Sequence, residues 1–166
     1  PDKSVEQLRE GYSSTINIEA MPKGTTITEV DAGGVTAEWT RAPGAATDCV
    51  FLFIHGGGYI RGAVVANRVT AALISAASGA TTLSTGYRLA PENPFPAAID
   101  DVYNAYRWLL AQDIDPKRIV VGGISAGGGL TLSLLLKLKE LGDPMPAAAV
   151  PMSAWTDLTQ SGQSFI

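Results

Sequence analysis

The 166-residue sequence is poor in the residue types that build disulfides, metal centres and nucleic-acid-binding surfaces. Its single cysteine, Cys49, excludes an internal disulfide and a metal site built from cysteines. Lys and Arg number 12 against 16 Asp and Glu, and the resulting net charge of −4 provides no basic surface for nucleic acid. No apolar run reaches the roughly 18 residues that a membrane-spanning helix needs. The composition therefore excludes a nucleic-acid partner and a membrane span.

Charged residues are also scarce, at 17% of the chain against 46% apolar residues. Soluble domains carry roughly 25% charged residues, and a sheet covered on both faces falls below this because its central strands are apolar throughout. The length suffices for one core, and no break in composition divides the chain.

The sequence begins at Pro1 rather than Met and shows no signal-peptide pattern. The cellular compartment is therefore left open, with the cytoplasm favoured.

The spacing of apolar residues predicts a β-hairpin followed by alternating strands and helices. This alternation implies a mostly parallel sheet with right-handed crossovers and helices on both faces, an α/β fold. A loop rich in Ala, Pro and Gly is expected at residues 41–48. The predicted strands are 25–30, 35–40, 49–54, 81–85, 119–122 and 147–152, and the predicted helices are 3–10, 66–78, 96 to about 112, and the residues after Ser125 up to Leu141.

The segment Gly123-Ile124-Ser125-Ala126-Gly127 stands between a short apolar strand and a long apolar helix. Its G-x-S-x-G pattern is typical of a sharp strand-to-helix turn that presents a nucleophilic serine. Such a turn strains the serine backbone, and glycines on either side keep neighbouring segments clear. The pattern predicts Ser125 as the nucleophile, and the alternative is a helix N-cap serine in a glycine-rich turn. A phosphate-binding loop is excluded because Ile124 stands where that motif needs glycine.

A second glycine-rich segment, His55-Gly56-Gly57-Gly58, directly follows the apolar strand 49–54. Acyl transfer builds negative charge on a carbonyl oxygen, and backbone N–H groups without intervening side chains can stabilise it. A segment of this type supplies such donors, together with Ala126, the residue after the serine. His55 precedes the serine in the chain, so we interpret it as an anchor of the loop rather than a catalytic base. The alternative is a plain glycine loop with a structural histidine.

Four segments together resemble the hormone-sensitive-lipase family of carboxylesterases, its microbial branch in particular. The resemblance extends over nearly all the chain from the hairpin onward, and it rests on residues 55–59, 87–101, 123–128 and 153–158. It implies an α/β-hydrolase fold without cofactor or metal, with Ser125 as nucleophile and the N–H groups of Gly57, Gly58 and Ala126 as the oxyanion hole. It also implies that residues 1–22 belong to a helical cap and residues 23–166 to the N-terminal portion of the core.

The chain departs from this family in its length. Family members are about twice as long, and their catalytic acid and histidine follow further strands. Here no histidine follows Ser125, and the aspartates that do, Asp143 and Asp157, are unconvincing as the catalytic acid. Without a base a serine hydroxyl is a poor nucleophile. We therefore expect an incomplete fold that is nearly inactive alone and has the C-terminal half of the same enzyme as its partner.

The leading functional hypothesis is hydrolysis of short- to medium-chain acyl esters through a serine acyl-enzyme. The expected substrates are therefore small-molecule esters. One alternative is a non-catalytic ligand-binding protein or an inactive fragment on the same scaffold. Another is an amidase or peptidase that uses the same turn, since a fold does not settle the reaction.

Overall fold

The computed structural model describes residues 4–13, 18–159 and 161, and these residues form one six-stranded sheet with helices on both faces. The calls on residues 1–3 and 14–17 lie outside the described residues. The helices are α1 (Val5–Ser13), α2 (Arg68–Ser78), α3 (Ala97–Ala111) and α4 (Ala126–Leu141). The strands are β1 (Thr26–Asp31), β2 (Thr36–Arg41), β3 (Ala46–Ile54), β4 (Ala80–Thr85), β5 (Ile119–Ile124) and β6 (Ala148–Met152). Short 3-10 helices occupy Ile18–Ala20, Val65–Asn67 and Pro116–Arg118.

The sheet has the strand order β1-β2-β4-β3-β5-β6. Strands β1 and β2 form the predicted antiparallel hairpin, β2 pairs antiparallel with β4, and the remaining pairs are parallel. In this register Ile54, the last residue of β3, lies opposite Thr85 of β4 and Gly123 of β5. The carboxyl ends of three central strands therefore meet at one edge, and this edge carries both glycine-rich segments. The prediction of a mostly parallel α/β sheet is confirmed.

Alternation along the strands sorts the side chains between two helix layers. Leu52, Leu83 and Val121 share one face of the sheet and belong to a buried cluster with residues of α3 and α4, including Tyr106 and Leu134. On the opposite face, α2 packs over β2 and β4.

A buried ion pair joins α2 to the sheet on that opposite face. The guanidinium of Arg68 binds the carboxylate of Glu38 at 2.5 and 2.9 Å. The Glu38 carboxylate is buried, whereas the Arg68 side chain is partly exposed to solvent.

The predicted loop at 41–48 is wrong at both ends. Arg41 still belongs to β2, and β3 begins at Ala46, where the N–H of Ala46 donates to the carbonyl of Gly79 at 2.7 Å. Pairing with β4 thus extends a segment whose composition suggests only a turn. Sequence composition cannot register such a partner because it lies over thirty residues away.

Several other predicted bounds shift by one to three residues. Strand β5 runs on from Gly122 to Ile124 because Gly123 and Ile124 pair with β6. Helix α3 begins at Ala97, one residue after the predicted Pro96, and α1 continues beyond Glu10 to Ser13.

Candidate active site

Ser125 forms the junction between β5 and α4 in a strained backbone conformation, with φ 57° and ψ −116°. Such a geometry costs a residue other than glycine about 1–3 kcal/mol and persists only where neighbours hold it. The Ser125 N–H donates to the carbonyl of Met152 at 3.0 Å, and the Ser125 carbonyl accepts from the N–H groups of Gly129 and Trp155, each at 3.0 Å. The end of β6 and the first turn of α4 together hold the serine in place.

The backbone of the His55 segment passes directly beside this junction. A Cβ built on Gly56 would lie 2.8 Å from the carbonyl oxygen of Ile124 and 3.4 Å from Cβ of Ser125. A Cβ on Gly127 would lie 2.1 Å from the carbonyl oxygen of Ile54. Only glycine allows backbones to approach so closely. The two glycine-rich segments that the sequence placed seventy residues apart are therefore in contact.

The residues after His55 fold into a tight turn. The carbonyl of Gly57 accepts hydrogen bonds from the N–H groups of Ile60 at 3.3 Å and Arg61 at 3.1 Å. Within the part of the chain that the structure describes, the N–H groups of Gly57 and Gly58 donate to no backbone carbonyl. Both residues are half-buried. These two donors remain available to a ligand at the sheet edge.

Ala126 is the first residue of α4, and the first N–H groups of a helix have no acceptor within the helix. The N-terminal end of a helix also carries a partial positive charge. The Ala126 N–H therefore adds a donor beside Ser125. The structure brings all four residues predicted for the site, Ser125, Gly57, Gly58 and Ala126, to one edge of the sheet.

His55 is built into the protein rather than presented to a substrate. Its side chain is buried, its Nδ1 lies 2.8 Å from the carbonyl oxygen of Gly56, and its ring stacks on Tyr87 with centroids 4.3 Å apart. Burial lowers the pKa of His55, so the imidazole is neutral near pH 7. The hydroxyl of Tyr87 donates to the carbonyl of His55 at 3.1 Å. This environment suits an anchor of the loop, because the ring is buried and engaged by Gly56 and Tyr87.

The segment 87–101, which carries part of the family resemblance, supports the site through contacts that the sequence does not identify. The buried carboxylate of Asp101 accepts the backbone N–H of Arg88 at 2.7 Å and its guanidinium at 2.8 and 3.0 Å. This clamp fixes the chain directly after β4, where Tyr87 reaches under His55. Arginine and aspartate thirteen residues apart give no pattern that reveals the pairing.

The two aspartates after Ser125 both have structural partners. Asp143 accepts from the hydroxyl of Tyr103 at 2.7 Å and forms an ion pair with Arg107, which ties the end of α4 to α3. Asp157 accepts from the backbone N–H of Thr159 at 2.9 Å and closes a local turn.

Two cavities flank the loop that follows His55. One, of about 400 Å³, lies behind the loop and is lined by His55, Gly62 and Tyr87 among others. The other, of about 280 Å³, is mainly apolar and is lined by Tyr59 of the loop, Leu130 of α4 and Leu158 among others. Leu130 and Ser133 of α4 both line this second cavity.

A family profile described as alpha/beta hydrolase fold matches residues 51–165. The chain belongs to the α/β-hydrolase family. It is 42% identical to an acetyl-hydrolase of Streptomyces hygroscopicus over 144 residues, which cover 87% of this chain and 47% of that relative.

Solved members of the α/β-hydrolase family share its architecture closely. An esterase from the bacterial hormone-sensitive lipase family superposes with a TM-score of 0.91 at 44% identity, covering 99% of this chain and 55% of its own. EstE5 superposes with a TM-score of 0.94 at 40% identity, with 99% and 55% covered. The resemblance to hormone-sensitive lipases is confirmed, and the chain spans about half the length of the relatives it matches. No helix among the described residues is long and apolar enough to cross a membrane.

Proposed function

We propose that this α/β-hydrolase chain carries the nucleophile and the oxyanion hole of a carboxylic ester hydrolase. The observation that carries the proposal is the strained Ser125 backbone, with φ 57°, in contact with a loop whose glycine N–H groups are unoccupied among the described residues. Strain held by many neighbours concentrates at functional sites, because a well-supported residue can be presented in a fixed orientation. The names of the relatives, an acetyl-hydrolase and an esterase, support the same chemistry.

In the proposed reaction, Oγ of Ser125 attacks the ester carbonyl carbon while a histidine takes the hydroxyl proton. The carbonyl oxygen becomes an oxyanion that accepts hydrogen bonds from the N–H groups of Gly57, Gly58 and Ala126. Collapse of the tetrahedral intermediate expels the alcohol, which receives the proton from the histidine, and leaves an acyl-serine. Attack by water, assisted by the same histidine, releases the acid and restores the hydroxyl.

The histidine and its carboxylate partner come, in this proposal, from outside the chain. The sequence contains one histidine, His55, and its ring is buried and stacked on Tyr87. The relatives are about twice as long, which leaves room for both groups in the portion that this chain does not span. Strand β6 is the outermost strand of the sheet, and its Val150 is 40% exposed. An adjoining segment from the other portion of the enzyme would cover this strand. We also propose that residues 1–22 contribute to a cap over the site.

The cavity beside Tyr59 supports a proposal for the substrate class. Its volume of about 280 Å³ and its mainly apolar lining suit a short or medium acyl chain. A crystal of EstE5 was soaked with p-nitrophenyl butyrate, a short-chain ester. We propose that the complete enzyme hydrolyses short- to medium-chain acyl esters without a metal or cofactor.

Covalent labelling tests the nucleophile directly. The complete enzyme is treated with a fluorophosphonate, and the modified residue is located by mass spectrometry. We expect a label on Ser125, its loss in Ser125→Ala, and full labelling in Ser78→Ala, which removes an exposed hydroxyl at the end of α2. An unlabelled Ser125 in an intact protein would refute the enzymatic proposal and favour a non-catalytic binding protein.

A comparison of substrates separates ester hydrolysis from amide hydrolysis. We expect turnover of p-nitrophenyl butyrate and none of the matching p-nitroanilide. Turnover of both would identify an amidase or peptidase, and turnover of the ester that persists in Ser125→Ala would show that another group performs the reaction.

A further inference from the structure

Arg9 of α1 reaches two separate loops next to the proposed oxyanion hole. Its Nε donates to the carbonyl of Ile60 at 2.8 Å, and its Nη2 donates to the carbonyl of Ala90 at 3.1 Å. The same guanidinium binds both carboxylate oxygens of Glu92, at 2.7 and 2.9 Å. One side chain thus joins the N-terminal helix, the loop after β3 and the segment after β4.

These contacts continue into the turn that presents the glycine donors. The N–H of Ile60 donates to the carbonyl of Gly57 at 3.3 Å, and the N–H of Ala90 donates to the carbonyl of Tyr59 at 2.9 Å. Arg9 therefore binds the carbonyl of Ile60, whose own N–H closes the Gly57 turn. It also binds the carbonyl of Ala90, whose own N–H is bonded to Tyr59 in the middle of that turn. A shift of α1 would be transmitted to Gly57 and Gly58 through two short hydrogen-bonded routes.

The ion pair with Glu92 serves a different purpose from the two carbonyl contacts. The Glu92 side chain is 52% exposed, and an exposed ion pair contributes little to stability. The pairing does fix the plane of the guanidinium, since both carboxylate oxygens are engaged. The planar fork can then aim its remaining N–H groups at two carbonyls at once, which a lysine cannot do.

We propose that Arg9 is a positioning residue of the oxyanion hole, which it holds in register with Ser125 by bonding Ile60 and Ala90. The inference rests on the proposed ester hydrolysis for its kinetic consequence. A displacement of about 1 Å in a catalytic group can lower the rate by about 10²-fold. Removal of the Arg9 contacts loosens the turn without deleting a donor, so we expect kcat to fall by about tenfold while KM changes by less than about twofold.

The kinetic test compares Arg9→Ala, Arg9→Lys and Glu92→Gln in the complete enzyme, with p-nitrophenyl butyrate as substrate. Arg118→Ala is the matched control, because it removes an arginine from an exposed ion pair with Asp48 at the opposite ends of the strands. We expect the loss of kcat in Arg9→Ala, partial recovery in Arg9→Lys, and a smaller loss in Glu92→Gln, which loosens the guanidinium but keeps its donors to the two carbonyls. The proposal is overturned if Arg9→Ala matches Arg118→Ala, or if Glu92→Gln loses as much kcat as Arg9→Ala.

Amide hydrogen exchange supplies a readout that does not depend on turnover. We expect the N–H groups of Ile60 and Arg61, both bonded to Gly57, to exchange about tenfold faster in Arg9→Ala than in the unsubstituted protein. The buried amide of Leu134 in α4 should keep its rate. Equal acceleration at Leu134 would mean that Arg9 adds only general stability, and that outcome also overturns the proposal. If Ser125→Ala proved fully active, the proposed function would fail while the exchange measurement still decided the role of Arg9.

Discussion

Replacement of Gly127 by alanine tests whether the two glycine-rich segments pack as closely as the structure shows. Gly127 lies in the first turn of α4, and alanine in a helix is ordinarily more stable than glycine by about 1 kcal/mol. Here the added Cβ would lie 2.1 Å from the carbonyl oxygen of Ile54 and 2.6 Å from that of His55. Both atoms are backbone, so neither can swing aside as a flexible side chain would.

Relief of this clash requires the start of α4 and the end of β3 to separate by about 1 Å. Overpacking of this kind costs about 3 kcal/mol, which outweighs the helical preference for alanine and reverses the usual sign of the substitution. The same displacement carries Ser125 away from the oxyanion donors, so we expect kcat/KM to fall by about 10²-fold. Urea unfolding measures the first quantity, and hydrolysis of p-nitrophenyl butyrate measures the second.

Gly142→Ala is the control for the backbone alone. Gly142 ends α4 with φ 71°, and among the described residues nothing beyond its own chain neighbours lies within 4 Å of a Cβ built there. Its substitution therefore carries only the left-handed backbone penalty, about 1 kcal/mol, and leaves activity unchanged. Our reasoning is refuted if Gly127→Ala is as stable as the unsubstituted protein or costs no more than Gly142→Ala.

Three further predictions concern buried polar side chains of the fold. Asp101→Ala removes a buried carboxylate that accepts the part-buried backbone N–H of Arg88, and we expect a loss of about 2 kcal/mol in urea unfolding, whereas Asp100→Ala, from a partly exposed ion pair, should lose under about 0.5 kcal/mol; equal losses would contradict the clamp. Arg68→Ala strands a buried carboxylate on β2, and after allowance for the partial exposure of Arg68 we expect a loss of about 2 kcal/mol by the same assay, with no measurable loss as the contrary result. Burial, with a smaller contribution from Asp143, raises the pKa of Tyr106 to about 12. Because an unfolded tyrosine ionises near pH 10, the neutral Tyr106 contributes stability below about pH 10 that is lost as the pH rises toward 12. Unfolding midpoints across this range should fall less steeply in Tyr106→Phe, and parallel pH profiles would disprove the assignment.

The order of elements was predictable because it depends on local patterns. Central strand β3 is a run of apolar residues, Val50 to Ile54 are all buried, and such a run needs no knowledge of its partners to be recognised. The glycine pair at the hairpin turn and Gly142 after α4 are likewise local signals. Strand ends were less predictable, since Ala46 and Ile124 belong to strands only through pairing with distant chain segments.

The candidate site likewise contains residues that local sequence patterns predict and residues that depend on distant contacts. Ser125, Gly57, Gly58 and Ala126 were predictable from two short motifs whose spacing reflects what the backbone must do locally. The residues that support them were not. Tyr87 under His55 and Arg9 across two loops act through contacts that span 32 and 51 residues of sequence.

The sequence by itself predicted Ser125, Gly57, Gly58 and Ala126 as the site, because a strained serine turn and an open glycine loop both require glycine at fixed positions. Only the tertiary structure decided that these two segments touch, since the parallel pairing of β3 with β5 brings Gly56 and Ser125 to the same sheet edge. It also decided the surroundings of His55, since its ring stacks on Tyr87 and burial lowers its pKa, which suits an anchor of the loop. Pairing and burial are properties of the assembled sheet, and no local stretch of sequence encodes them alone.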